Sequence, residues 1–239
     1  MSVFSISDLH LSLSVPKPMD VFGSRWQGYT EKLEKRWHAV VTERDTVIIP
    51  GDISWAMSLD EAEADFRFID SLPGKKLIGK GNHDFWWTTV SKMTAFLEER
   101  GITSISFLHN NAYVVEDRIV CGTKGWFPED KLAGADREAD FAKLKARELT
   151  RLGASLDEAE KLQGENKLPV HVYLHFPPAV SDFVFNEEIA LMKDRGVVRC
   201  FFGHVHGRYD LPLTDDSFGI PLTVISADYL DFIPLLTKI

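Results

Sequence analysis

Apolar residues fall in two spacings along this chain. Strand-length runs span Val3 to Ser7, Thr46 to Pro50, Lys76 to Lys80, Val170 to Leu174 and Val197 to Phe202, with apolar residues at consecutive positions as in buried strands. Other apolar residues recur at helical intervals. Leu33, Trp37, Val40 and Val41 mark a helix from about Thr30 to Glu43, and Leu59, Ala62, Phe66 and Ile69 mark the next. Ser58 and Glu61 occupy capping-box positions at the start of that second helix, and Pro73-Gly74 ends it. A third helix is expected from about Trp87 to Arg100, closed by Gly101, and a short one from about Asn186 to Arg195.

Strands alternating with helices in the first half imply parallel strands joined by crossovers. Two or three antiparallel strands are expected between Ser104 and Gly125, turning near Glu116-Asp117-Arg118. The polar stretch from Pro128 to Lys167 has a helical pattern, and Ser155-Leu156-Asp157-Glu158 offers a second capping box, so a helical hairpin inserted at about 128–168 is expected. The tail from Leu211 onward reads as strands that close a sheet. With no internal repeat or linker, the 239 residues are expected to form a single domain.

A hydrophobic content of 44% and a charged content of 26% are those of an ordinary globular protein with ample material for a core. No apolar run approaches the roughly 20 residues of a membrane-spanning helix. The first residues carry no basic leader and run straight into a motif, so a cytoplasmic protein is expected, with no membrane partner. Net charge of −9 and the lack of a dense basic run argue against nucleic acid as a partner. The two cysteines, Cys121 and Cys200, lie in apolar strand-like runs without ligand spacing and are expected to be reduced core residues.

The chemistry lies where the strands end. Asp8-Leu9-His10, Gly51-Asp52, Gly81-Asn82-His83-Asp84, His175 and Gly203-His204-Val205-His206 each close an apolar run, and they hold five of the eight histidines. In α/β sheets the loops beyond the carboxyl ends of the strands form the ligand crevice, so residues far apart in sequence can converge there. Turn chemistry explains Asp, Asn and Gly after a strand. It does not call for histidines. A mixed nitrogen and oxygen donor set without Cys suits first-row divalent metals (Mn, Fe, Zn or Ni) and leaves their identity open.

In order and glycine placement, these five motifs resemble the calcineurin-like metallophosphoesterase superfamily from Asp8 to His206. The resemblance implies a four-layer α/β/β/α sandwich of two mixed sheets flanked by helices. It also implies two metal ions, one held by Asp8, His10 and His206 and the other by Asn82, His175 and His204, with Asp52 bridging both. His83 would lie beside the metals as proton donor, and Asp84 would orient it. The implied reaction is hydrolysis of a phosphoester, diester or monoester, by hydroxide shared between the metals. A small phosphorylated molecule is the implied substrate; oligomeric state is not readable. A bridging carboxylate suits the role because its two oxygens can face different ions, and Gly51, Gly81 and Gly203 allow tight turns before the ligands.

Departures from subfamily patterns narrow this reading. Trp55 stands where purple acid phosphatases carry a tyrosine ligand, and the arginine that protein serine/threonine phosphatases place beyond this aspartate is missing. Leu174-His175-Phe176-Pro177-Pro178 is similar to the His-His-Pro-Pro segment of cyclic-nucleotide-type phosphodiesterases, with Phe176 in place of the second His. Two rival functions share the fold: a non-catalytic scaffold, as in the retromer subunit of this superfamily, and a nuclease. Near the motifs, Trp55, Trp86, Trp87 and Trp126 read as core packing ahead of an aromatic wall. Arg208 suits a phosphate contact and a solvated surface role equally, whereas Lys17, Arg25 and Lys124 lean to the surface. The loop from Lys17 to Tyr29 suits a lid and a plain surface loop equally. His38, His109 and His171 are not ligand candidates; His171 shares a strand face with His175 but lies about 13 Å from it.

Overall fold

The computed structural model describes residues 1–126, 137–164 and 167–237. Strand β1 (Val3–Ser5) opens the chain, and helix α1 (Tyr29–Val40) crosses over to β2 (Thr46–Ile49). Helix α2 (Leu59–Ser71) leads to β3 (Lys75–Ile78), and α3 (Val90–Glu99) leads to β4 (Ile105–Phe107). The hairpin β5 (Asn111–Val115) and β6 (Arg118–Thr123) precedes α4 (Arg137–Gln163) and β7 (Val170–Leu174). A small ribbon, β8 (Ala179–Val180) with β9 (Phe183–Val184), is followed by α5 (Asn186–Asp194) and β10 (Val197–Phe202). Strands β11 (Thr214–Asp215), β12 (Leu222–Val224) and β13 (Leu235–Leu236) complete the described chain.

Two mixed sheets result, ordered β13-β1-β2-β3-β4 and β11-β12-β10-β7-β6-β5. Their strands are apolar at consecutive positions because both faces are covered. In the first sheet Val47, Ile49 and Ile78 face α1, α2 and α3 with Leu33, Trp37, Phe66 and Met93, while Val3, Ile48 and Leu77 face the second sheet. In the second sheet Val120, Tyr173 and Phe201 face inward, and Cys121, Val172, Leu174 and Cys200 face the helical layer of α4 and α5. The four layers are therefore α/β/β/α, as the motif resemblance implies. The two cysteines are buried and unpaired. No helix among the described residues is long and apolar enough to cross a membrane.

Several expectations need correction. Strand β4 runs parallel to β3 in the first sheet, so of the strands between Ser104 and Gly125 β5 and β6 alone pair antiparallel, in the second sheet. The chain changes sheets between them, which the apolar pattern does not encode. Helix α3 starts at Val90 behind the Thr89 cap, whose side chain accepts from Lys92 N, and Trp87 stays in the preceding turn. Val40 is exposed at the end of α1. Ser58 caps α2 as expected, but Glu61 reaches back to Met57 N, not to the cap residue.

The second capping box starts no helix. Ser155 lies in the interior of α4, where its hydroxyl donates to Asn111 O and accepts from Gly122 N, tying the helix to the β5–β6 hairpin. The helical hairpin expected at about 128–168 falls partly outside the described residues. Its described part is one continuous helix of 27 residues packed on β5 and β6.

Candidate metal centre

All five motifs emerge at the carboxyl ends of parallel strands, β1, β2 and β3 in one sheet and β7 and β10 in the other. The sheets meet at this edge. Ser7 N donates to Ile225 O and Ala227 N to Ser7 O, both at 2.8 Å, which joins the end of β1 to the chain beyond β12. Asp8 and His10 are thereby placed against His204 and His206. Asp8, His10, Asp52 and His204 all have positive φ, between 47° and 67°, a region few residues other than glycine occupy. Strain of this kind persists where surrounding structure over-determines it, and here it turns side chains inward that would otherwise follow the strand.

Two glycines allow the close approach this needs. A Cβ at Gly81 would run into the Asp52 carboxylate, and one at Gly203 into Asp8 and Ser7. Neither has a positive φ, so at these two positions the tight turn expected from sequence is replaced by backbone contact with a carboxylate. Only Gly51, at φ 129°, uses the conformational freedom itself.

Two groups of ligand atoms converge, each lying within 4.8 Å of one another: Asp8 with His10 and His206, and Asp52 with His175 and His204. Asn82 Oδ1 lies 2.6 Å from His175 Nε2, which adds it to the second group. Asp52 Oδ2 stands between the groups, 3.6 Å from His10 Nε2 and 3.6 Å from His175 Nε2. Its other oxygen accepts from His83 N at 2.8 Å, so one oxygen faces both groups where sequence reasoning expected one oxygen for each.

The donors suit cations. His10 Nε2 and His206 Nε2 face each other at 3.3 Å, and two lone pairs cannot share that space without a positive charge or proton between them. Nδ1 of His10 and of His175 is buried with no hydrogen-bond partner. Burial, then the neighbouring His206, holds His10 well below the usual histidine range; burial, then His204, does the same to His175, and His204 is pushed down to about 4 by burial and His206. Neutral imidazole is the ligand form. Burial pushes Asp8 up to about 6 and, with the charges of Asp8 and Asp84, raises Asp52 well above the carboxylate range. A bound cation removes that conflict by favouring every carboxylate in its ionised state.

Asp84 does something other than expected. Its carboxylate accepts from the backbone amides of Asp52, Ile53, Ser54 and Gly81 and from the Trp86 indole, at 2.7–3.3 Å. It clamps the Asp52 loop in place; the orienting role toward the His83 ring is not what this geometry serves. His83 is half-buried, its ring 4.4 Å from Trp55 and 5.6 Å from His10. Trp55 stacks on His10 at 5.1 Å, so it belongs to the site as well as to the core. Trp86 and Trp87 pack in the interior as expected, whereas Trp126 packs with Phe141 and Phe185. Of the remaining histidines, His38 is exposed and its Nδ1 lies against Glu34 O, His109 packs on Trp87, and His171 lies between the sheets.

Sequence reasoning missed Asp228. Fully buried, it accepts from His206 Nδ1 at 2.8 Å, Gly207 N at 3.0 Å and the Tyr209 hydroxyl at 3.0 Å. Burial alone would raise its carboxyl, but the bond and charge of His206 hold it below the ordinary range. The same contact outweighs burial at His206 and raises its pKa. A carboxylate on Nδ1 turns Nε2 toward the site, the usual outer partner of a metal-binding histidine. The signal was present: Asp228 follows the apolar run Leu222 to Ile225 much as Asp8 follows β1.

The model of the calcineurin-like phosphoesterase family matches residues 1–208, and the chain belongs to that family. No curated protein matches it. Among solved structures it is similar to a protein of unknown function from Aquifex aeolicus, with 14% identity over 98% of this chain and 94% of that one and a TM-score of 0.53. It is also similar to the phosphopantetheinyl hydrolase of Mycobacterium tuberculosis, with 16% identity over 94% and 88% of the two chains and a TM-score of 0.55. A third, from Thermus thermophilus, has 14% identity over 93% and 87% and a TM-score of 0.51. At these identities the likeness is one of fold.

Proposed function

We propose that this chain hydrolyses phosphoesters through a two-metal centre held by Asp8, His10 and His206 on one side and Asn82, His175 and His204 on the other. The observation that carries this reading is Asp52 Oδ2, equidistant from both groups at 3.6 Å. Two ions bound by these residues would supply an activated water at neutral pH and positive charge opposite the phosphoryl oxygens. The chain supplies the rest. Asp84 and Gly81 fix the backbone that aims Asp52, and Asp228 fixes the ring of His206. His83 Nε2 donates a proton or hydrogen bond to the departing oxygen, a contribution on the order of 10²–10⁴ in rate. Trp55, against His83 and His10, walls the site where an organic substituent leaves.

The substrate is a small phosphorylated molecule. A phosphopantetheinyl hydrolase of the same fold is in keeping with a phosphoester bearing a bulky organic arm. Asp52→Asn is expected to lower metal-dependent turnover of nitrophenyl phosphate esters by at least about a thousandfold. Full activity in that variant, or no transition metal retained by the native protein, overturns the assignment and favours a scaffold.

A further inference from the structure

Large apolar side chains stand in solvent on each of the three loops that leave the first sheet at the metal centre. Leu13, Val21 and Phe22 follow β1, Met57 follows β2 and Phe85 follows β3, with Phe22 62%, Met57 64% and Phe85 52% exposed. Single exposed apolar residues are ordinary on a protein surface. Here they share the edge at which the ligands converge, and the loops that carry them are joined from beneath.

Two buried carboxylates make the joins. Asp65, on α2, accepts from Leu13 N at 2.9 Å and from the Ser54 hydroxyl, which ties the loop after β1 to the loop after β2. Backbone bonds from His10 N to Asp52 O, Leu11 N to Ile53 O and Trp55 N to Leu11 O, all at 2.9 Å, run alongside. Asp84 ties the loop after β2 to the loop after β3 through the amides of Asp52, Ile53 and Ser54. Folding these loops back to bury their apolar side chains would break interior hydrogen bonds, so the side chains stay exposed.

Phe85 lies beside the chemistry. Its amide donates to His83 O at 2.9 Å, and its ring meets the His83 ring edge-on at 6.2 Å. Trp55 meets the same histidine at 4.4 Å, and its indole donates to Met19 Sδ at 3.1 Å. One half-buried and one exposed aromatic ring therefore border His83. With His83 at the departing oxygen, the organic part of an ester extends over these rings. An apolar group there takes their surface and its own out of water, and a polar group does not.

Building on the phosphoesterase reading, we propose that Phe85 and Trp55 are specificity residues that receive an apolar leaving group, so that the site selects phosphoesters of aromatic or branched alkyl alcohols over those of small polar alcohols. The occupant is the substrate itself, because the exposed ring of Phe85 is continuous with the histidine that faces the departing oxygen.

Phenylphosphonate and methylphosphonate share one head group and carry a carbon–phosphorus bond in place of the ester, so titration calorimetry of the full, metal-reconstituted chain compares the organic arms without turnover. The native protein is expected to prefer phenylphosphonate by about thirtyfold. Phe85→Ser should cut that preference about tenfold, and Phe85→Leu should keep most of it. Val198→Ser, at an exposed apolar position on the end of β10 away from His204, should leave it unchanged. An equal preference in the native protein and Phe85→Ser overturns the proposal. So does Phe85-dependent binding to phosphatidylcholine vesicles, or Phe85-dependent self-association, without that preference, which assigns the rim to a lipid surface or a second copy. Turnover of nitrophenyl phosphate, measured in parallel, separates the two claims. Turnover without a Phe85-dependent preference removes the apolar subsite alone, and a Phe85-dependent preference without turnover removes the hydrolase reading alone.

Discussion

The two ends of β7 carry one histidine each, on the same face of the strand, and both side chains are fully buried. At the carboxyl end, His175 Nε2 lies 2.6 Å from Asn82 Oδ1 and 3.6 Å from Asp52 Oδ2, and its Nδ1 lies 3.7 Å from Asp8 Oδ1. Four residues earlier, neither ring nitrogen of His171 has a hydrogen-bond partner, and the groups that act on it are Arg118, Arg199 and Asp117. Burial holds both rings below the usual histidine range, His171 at about 4. A low pKa therefore does not distinguish a ligand from a packed ring. What distinguishes His175 is the set of carboxylate and amide oxygens that loops from the other sheet bring to it.

The largest effect that sharpens this contrast is on metal content. His175→Ala is expected to weaken metal binding by more than the roughly 10–100-fold typical of losing an outer partner, while His171→Met keeps full occupancy, as read by elemental analysis after dialysis. Equal loss in both variants would erase the distinction between the two ends. Asp84→Asn comes next, because it puts amide hydrogens against the two or three interior donors that one of the carboxylate oxygens now satisfies. A loss of about 3 kcal/mol in unfolding free energy is expected by urea titration, and a neutral result would deny the clamp.

Asp228→Asn, by freeing the His206 ring, should lower metal affinity about 10–100-fold when measured by competition with a chelator. The smallest effect is at the far end of β7. His171 binds its proton at about 4 when folded and near 6.5 when unfolded, so between those values the unfolded chain holds more protons. Its contribution to stability is complete above pH 6.5 and is lost as pH falls toward 4. His171→Met removes that loss, and the native protein should give up about 2 kcal/mol more than the variant between about pH 7 and pH 5. Parallel pH profiles of unfolding would show that His171 is not buried as a neutral ring.

The candidate ligand set was legible because metal chemistry restricts residue type and α/β topology restricts place. Histidines directly after apolar runs satisfy both conditions, and neither condition needs a contact map. Asp228 satisfied the second and was passed over, since a lone aspartate after a strand is ordinary turn chemistry until the ring it holds is known. Asp84 was assigned the wrong partner for a related reason. Its neighbour in sequence is His83, but its side chain turns to amides at least 30 positions away in the Asp52 loop.

The sequence by itself determined the five strands that precede the motifs, most helix positions, the seven candidate ligands and, through its motif order, the four-layer fold. Local spacing and residue chemistry suffice for these. Tertiary structure alone decided that β4 stays with the first sheet while β5 and β6 join the second, that Ser155 ties a helix interior to a hairpin, and that Arg25 reaches the backbone oxygens of Asp228 and Tyr229. Each depends on which distant segment supplies a hydrogen-bond acceptor. Long-range packing sets that choice, and the periodicity of a single segment carries no record of it.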